Sequence, residues 1–231
     1  MRWFHQSLVL LALGFAMIRP VYAEDAVKTP VYAVSYFDVA PAQSAATAAL
    51  LRQHAEAVRK EAGNLSFEAF EEINRPNRFA ILESWRDKPA LDAHGAVPAT
   101  IAFADKLKPL LISGTGARYL SEFSVAARSG QPGPGTVYVL THVDVPPPQK
   151  DPTIELQKAL AAAARKDDGN LWFDVLQQND PRSNHFTLFE GWRDRKAFDA
   201  SIMAPHTREF RQKLNPLEGA LYDERLYQAI H

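Results

Sequence analysis

Two histidines in this sequence sit where an imidazole could take a proton from a substrate: His94, nine residues after Trp85, and His206, in the pair Pro205-His206. Histidine is the natural general base for ionising a hydroxyl because its reference pKa lies near working pH. Glu83 and Glu190 precede Trp85 and Trp192 by two residues, which puts each carboxylate on the same strand face as its tryptophan. A carboxylate among apolar neighbours is either paired with an arginine or held protonated by burial, and pairing is the simpler expectation. Trp85 and Trp192 read as core aromatics at strand ends that can also wall a pocket. Phe67 and Trp172 join them as candidate substrate contacts. Tyr36 and His142 occupy equivalent places on two strands and could face either a cavity or an interface. His54 is matched by Leu160, which favours a histidine at the edge of a core. No His-Glu-x-x-His spacing occurs, so no metal site is expected.

These residues belong to a sequence that repeats itself. Val31–Val39 returns as Val137–Val145, and Gly63–Glu68 returns as Gly169–Asp174, both at an offset of 106. After a one-residue insertion, Glu83–Asp87 matches Glu190–Asp194, and Phe103, Lys106 and Leu107 match Phe210, Lys213 and Leu214. Identities in one register across the chain mark an internal duplication. Each copy reads strand-helix-strand-strand-helix-strand, the ferredoxin-like βαββαβ order. The spacing predicts strands over Val31–Val39, Leu65–Phe70, Phe79–Trp85 and Arg118–Val125, with a polar turn around Pro76-Asn77. A first helix runs to Ala62, Gly63 supplies a left-handed cap, and Asp87 caps a second helix that Pro98 divides. The units span residues 31–125 and 137–230, joined by a Gly/Pro-rich linker over 126–136.

Phe79, Ile81, Glu83 and Trp85 alternate with Ala80, Leu82 and Ser84, so both faces of the strand are mostly apolar. Two helices cover only one face of a four-stranded sheet. The expected fold is therefore α+β, with the two units packed sheet to sheet as an intrachain barrel.

The pattern Gly-Asn-Leu-x-Phe-(Glu/Asp), followed by Phe-x-x-x-Glu-x-Trp-Arg-Asp-x-x-Ala-x-Asp-Ala, occurs once in each copy. It resembles the antibiotic biosynthesis monooxygenase (ABM) family of the dimeric α+β barrel superfamily, and the likeness spans nearly all of both units. The resemblance implies a small, largely apolar cavity in each unit. Several relatives oxidise hydroquinones or polyketide phenols there with molecular oxygen, without flavin or metal, so the implied partners are a small aromatic substrate and O2 with no cofactor. His94 and His206 are then the catalytic candidates, since a phenol must be deprotonated in a water-poor pocket before it gives electrons to oxygen. Other relatives degrade haem. Their first-strand asparagine is replaced by Ser35 and Thr141 here, which argues against degradation and leaves haem binding through a helix histidine as an alternative. A non-catalytic, exported small-molecule-binding barrel is the third reading. Family members often carry both histidines in one unit, whereas here His94 is matched by Ser201 and His206 by Ala99. The copies are thus not expected to be equivalent.

Composition narrows the field further. The chain has 231 residues, 46% of them hydrophobic, with a formal charge of −1 and no cysteine. The charge removes the basic footprint of a nucleic-acid binder. Lack of cysteine excludes disulfide scaffolds, thiol nucleophiles and thiolate metal sites. Neither a glycine-rich phosphate loop nor a Gly-x-Ser-x-Gly elbow is present. Arg2, the short apolar run Leu8–Ile18 and the small residues of Val21-Tyr22-Ala23 read as a secretory signal over residues 1–23, cut after Ala23. That leader implies a periplasmic or secreted protein with no membrane contact after cleavage. Its removal takes Arg2 and Arg19 with it and shifts the formal charge from −1 to −3. Further pairing of whole chains into a homodimer stays open.

Overall fold

The computed structural model describes residues 29–231. The leader expected over residues 1–23 lies outside the described residues. Copy 1 runs β1 (Val31–Asp38), α1 (Ser44–Val58), β2 (Asn64–Glu72), β3 (Arg75–Trp85), α2 (Lys88–Gly95), α3 (Pro98–Leu107) and β4 (Gly116–Ser124). Copy 2 repeats the order as β5 (Val137–Asp144), α4 (Lys150–Ala164), β6 (Asn170–Gln178), β7 (His185–Trp192), α5 (Arg195–Met203), α6 (Pro205–Leu214) and β8 (Asp223–Ala229). No helix among the described residues is long and apolar enough to cross a membrane.

Local chemistry sets the boundaries. Asp87 and Asp194 each accept a hydrogen bond from the backbone N–H three residues on, at 2.9 and 2.8 Å, and so start α2 and α5. Pro98 and Pro205 open α3 and α6, splitting what would otherwise be one helix in each copy. Gly63 and Gly169 have φ of +88° and +82°, and a Cβ at either would lie within 2.7 Å of Ala90 or Ala197. Handedness and close helix packing both demand glycine there. The first helix ends at Val58 rather than Ala62, because the chain must already be turning toward Gly63. The turn expected at Pro76-Asn77 falls instead at Ile73-Asn74, and Pro76 lies inside β3. Its missing N–H does no harm, since β1 pairs with β3 only as far as Arg78.

The eight strands close in the order β1-β3-β2-β8-β5-β7-β6-β4. Within each copy the sheet is antiparallel, and the copies join edge to edge through β2 with β8 and β4 with β6. The apolar inner faces do meet, and closure additionally removes the strand edges that an isolated unit would expose. Val34, Phe70, Leu82, Leu120, Leu140, Leu176 and Tyr227 fill the barrel. Phe79, Ile81 and Trp85 point the other way, into a core under α1–α3, and Phe186, Leu188 and Trp192 do the same under α4–α6. One exchange ties the copies together: Phe123 at the end of β4 packs on the copy 2 core, and Ile230 after β8 packs in the copy 1 core. The segment after β4 lies against copy 2, where the Ser129 N–H donates to Leu171 O at 2.8 Å, and Arg128 bridges the copies, paired to Glu68 of copy 1 at 2.8 Å with its guanidinium 4.2 Å from the centre of the Trp172 ring of copy 2.

Candidate functional site

In copy 1 three elements converge on one imidazole. His94 lies in the last turn of α2 and is buried. Its Nδ1 is 2.9 Å from Glu61 Oε2 and 3.3 Å from Thr100 Oγ1. A carboxylate at Nδ1 selects the tautomer protonated there and turns the lone pair of Nε2 outward. Nε2 faces Glu83 Oε2 across 3.8 Å, too far for a direct hydrogen bond. Glu83 Oε2 accepts instead from Trp85 Nε1 at 2.8 Å, and the Trp85 ring backs the imidazole at 4.7 Å. Among the described residues no arginine pairs with Glu83, contrary to the sequence expectation. Burial pushes its carboxyl above the usual range, the Trp85 hydrogen bond and His94 draw it back, and Glu61 pushes it up again.

Glu83 and His94 open on a slot of about 360 Å³ between α2 and the β1–β4 edge. Small side chains make the room: Ala33, Ser35, Gly95 and Ala117, with Leu91 on the helix side. Tyr119, half exposed, and the Lys88–Asp92 ion pair stand at the mouth.

Copy 2 keeps the carboxylate and its tryptophan donor but has no histidine at the place of His94. Glu190 accepts from Trp192 Nε1 at 2.9 Å, and Ser201 stands at the place of His94 with its hydroxyl turned to Phe198 O. Burial, reinforced by Glu224, pushes the Glu190 carboxyl up to about 8 despite the tryptophan hydrogen bond. The slot-lining residues are larger here: Val139 for Ala33, Thr141 for Ser35, Phe198 for Leu91 and Glu224 for Ala117. Tyr222 adds its ring to the same side, under an Arg211 guanidinium 3.3 Å from the ring centre. His206 lies on α6 with Nε2 3.1 Å from Asp167 Oδ2. Asp167 is the counterpart of Glu61, so each copy retains one histidine–carboxylate pair but draws the histidine from a different helix.

The remaining candidates scatter. Tyr36 and His142 meet inside the barrel, edge to face at 5.1 Å, with Thr187 Oγ1 3.2 Å from His142 Nδ1. They form the copy–copy interface and line no slot. Burial first, then Arg118, pulls the His142 imidazole down to about 4. Trp172 also turns into the barrel, flat against Gly191, where a Cβ would come within 2.2 Å of its ring. Phe67 is buried in the copy 1 core, edge-on to His54 at 5.4 Å. Sequence reasoning missed two partners. Glu61 follows the first helix, and no motif marks it. His54 lies 5.9 Å from His94, a proximity set by helix packing that no spacing rule reveals.

Comparison with known proteins agrees with this architecture. The family model for antibiotic biosynthesis monooxygenase matches the chain twice, over residues 30–106 and 136–213. The chain belongs to the antibiotic biosynthesis monooxygenase family. It is a tandem ABM protein, with two family domains sharing one barrel. A Fusobacterium nucleatum structure provisionally described as a monooxygenase aligns over 89% of this chain and 94% of its own, with a TM-score of 0.80 at 16% identity. A Lactobacillus acidophilus structure with the same provisional description covers 88% and 95%, with a TM-score of 0.72 at 15% identity. These likenesses show the fold. An uncharacterized Synechocystis protein is 30% identical over 107 residues, which is 46% of this chain and 73% of that protein.

Proposed function

We propose that this ABM protein is a cofactor-independent monooxygenase that oxidises a quinol-like or phenolic small molecule with O2, and that copy 1 alone performs the reaction. The observation that carries this reading is the 3.8 Å gap between His94 Nε2 and Glu83 Oε2 at the back of the slot. A substrate hydroxyl on the slot side of this pair can stand about 2.8 Å from both atoms, donating to the Nε2 lone pair and accepting from Glu83 when its carboxyl is protonated. Proton transfer to Nε2 leaves a phenolate, and Glu61 at Nδ1 stabilises the imidazolium that forms. The electron-rich ring then reduces O2. For a hydroquinone, one oxygen atom enters the ring, the other leaves as water, and the product is a hydroxyquinone. The substrate supplies all four electrons, so the balance requires no external reductant. The small slot residues accept a flat ring, and the buried imidazole and Trp85 restrict water.

Haem binding through His94 fits the residues poorly. Nδ1 is engaged by Glu61, and the Glu83 carboxyl stands 3.8 Å from Nε2, so neither imidazole nitrogen of His94 is open to hold a haem. The test is oxygen-electrode measurement on the purified protein with hydroquinones and phenols, with a chelator present and hemin added in a parallel run. Expected is uptake of one O2 per quinol without added cofactor. Absence of uptake with any quinol, or a Soret band together with uptake only when hemin is present, would overturn the reading.

A further inference from the structure

On the far side of His94 from the slot, α1 and α3 leave a second hollow of about 180 Å³. Leu50, Ala57, Ala99 and Ala102 form its apolar walls. His54 lines it, stacked on Phe103 at 3.9 Å and only 6% exposed. Among the described residues, no protein group hydrogen-bonds to the His54 ring. Burial, with His94 nearby, draws this imidazole down to about 4, so at neutral pH it presents one donor and one acceptor. A buried polar group normally has a partner. At the mouth stand Gln53 and Lys106, and Lys106 forms no ion pair among the described residues.

Copy 2 supplies an internal control. The equivalent hollow between α4 and α6 is about 110 Å³, with Leu160 in the place of His54. Its lysine, Lys213, lies 2.6 Å from Glu209, which replaces Ala102. Its histidine, His206, is held by Asp167. Lys213 and His206 at the copy 2 hollow thus each lie within 3.1 Å of a carboxylate, whereas Lys106 at the copy 1 hollow has none among the described residues.

We propose that the α1–α3 hollow of copy 1 is a second ligand site, for a single-ring hydroxylated aromatic carboxylate. The ring lies among Leu50, Ala99 and Ala102, the carboxylate meets Lys106 and Gln53, and the ring hydroxyl bonds to His54. Apolar walls with one cation at the mouth suit one anionic group on a flat body, and a neutral imidazole suits a hydroxyl that both donates and accepts.

Histidine-labelled protein titrated with 4-hydroxybenzoate and with benzoate, followed by NMR, tests this. Expected is a saturable shift of the His54 ring signals at one equivalent per chain, with 4-hydroxybenzoate bound more tightly than benzoate. His54→Leu and Ala102→Glu import the residues copy 2 already carries at these positions, and each should weaken binding about tenfold or more. Melting curves check that both variants are folded. His94→Ala should retain the binding. No saturable shift, affinity unchanged in both imported variants, or loss of binding in His94→Ala (which would move the ligand to the slot) would each overturn the proposal.

Discussion

The two copies share a backbone plan and a glutamate–tryptophan pair, yet only one keeps space in front of the carboxylate. In copy 1, Ala33, Ser35, Leu91 and Ala117 leave the slot open before Glu83 and His94. In copy 2, Val139, Thr141, Phe198 and Tyr222 occupy that side, and Glu190 is left buried with a tryptophan as its only hydrogen-bond donor among the described residues. The barrel interior shows the same divergence. Ser66 and Ser84 share a 2.7 Å hydrogen bond across β2 and β3, whereas the equivalent pair is Trp172 lying on Gly191. Duplication within one chain removes the need for both halves to be identical, so one can keep a cavity while the other is packed for stability. The histidine–carboxylate pair survives in both, but His94 faces the slot in front of its glutamate, whereas His206 lines the hollow between α4 and α6.

Separating the halves should give the largest effect. Residues 29–125 and 137–231 expressed apart each lose the edge pairing and the partner's partly buried Phe123 or buried Ile230, a loss of at most about 1.5–3 kcal/mol of burial each. Neither half should remain a folded monomer by size exclusion and circular dichroism, and mixing should restore the barrel. Two soluble, folded monomers would break the comparison, because the copies would then be independent domains.

Next is the rate. His94→Ala should reduce oxygen uptake by roughly the 10²–10⁴-fold typical of a general base, while His206→Ala leaves it unchanged. Ser201→His in copy 2 should add no second activity, because the space before Glu190 is filled. Equal losses in the two alanine variants would make the copies equivalent and remove the asymmetry.

Stability against pH reports the same difference. Glu190 titrates near 8 in the folded protein and near the ordinary carboxylate value when unfolded. The folded state therefore holds the extra proton, and stability falls as pH rises from about 4.5 to about 8. Glu190→Gln should flatten that slope in thermal melts and add on the order of a few kcal/mol at pH 8. Glu83→Gln should change it less, since Glu83 has His94 beside it and a more open environment. An unchanged slope in Glu190→Gln would mean that the carboxyl is hydrated.

Much of the fold was legible in the sequence because it rests on local and repeated signals. The register of Val31–Val39 against Val137–Val145, the caps at Asp87 and Asp194 and the break at Pro98 depend on near neighbours. Alternation along Phe79–Trp85 correctly divided helix-facing from barrel-facing residues. The site was legible only in part. His94 and Glu83 were visible as types at a spacing, but alternation alone could not say that Tyr36, His142 and Trp172 point into the barrel, away from the slot. Glu61 acts through a contact 33 residues away, which depends on how α2 packs over the end of α1. The expected arginine partner for Glu83 failed for a related reason: Arg86 pairs with the neighbouring Asp87 at the surface, leaving Trp85 as the donor within reach.

The smallest effect sharpens the comparison most. Glu61→Gln keeps a hydrogen-bond acceptor at His94 Nδ1 but removes the charge that stabilises the imidazolium formed when Nε2 takes a proton. Losing a charge-assisted hydrogen bond while retaining a neutral one predicts a fall in kcat of about tenfold with little change in KM, since Glu61 does not line the slot. Glu61→Asp should recover part of the rate, because it restores the negative charge near His94 Nδ1 on a shorter side chain. Asp167→Asn should leave kcat untouched. Were Asp167→Asn as damaging as Glu61→Gln, the copy 2 pair would be part of the reaction; were Glu61→Gln silent, His94 would need no orienting charge and the burden of proton transfer would fall on Glu83.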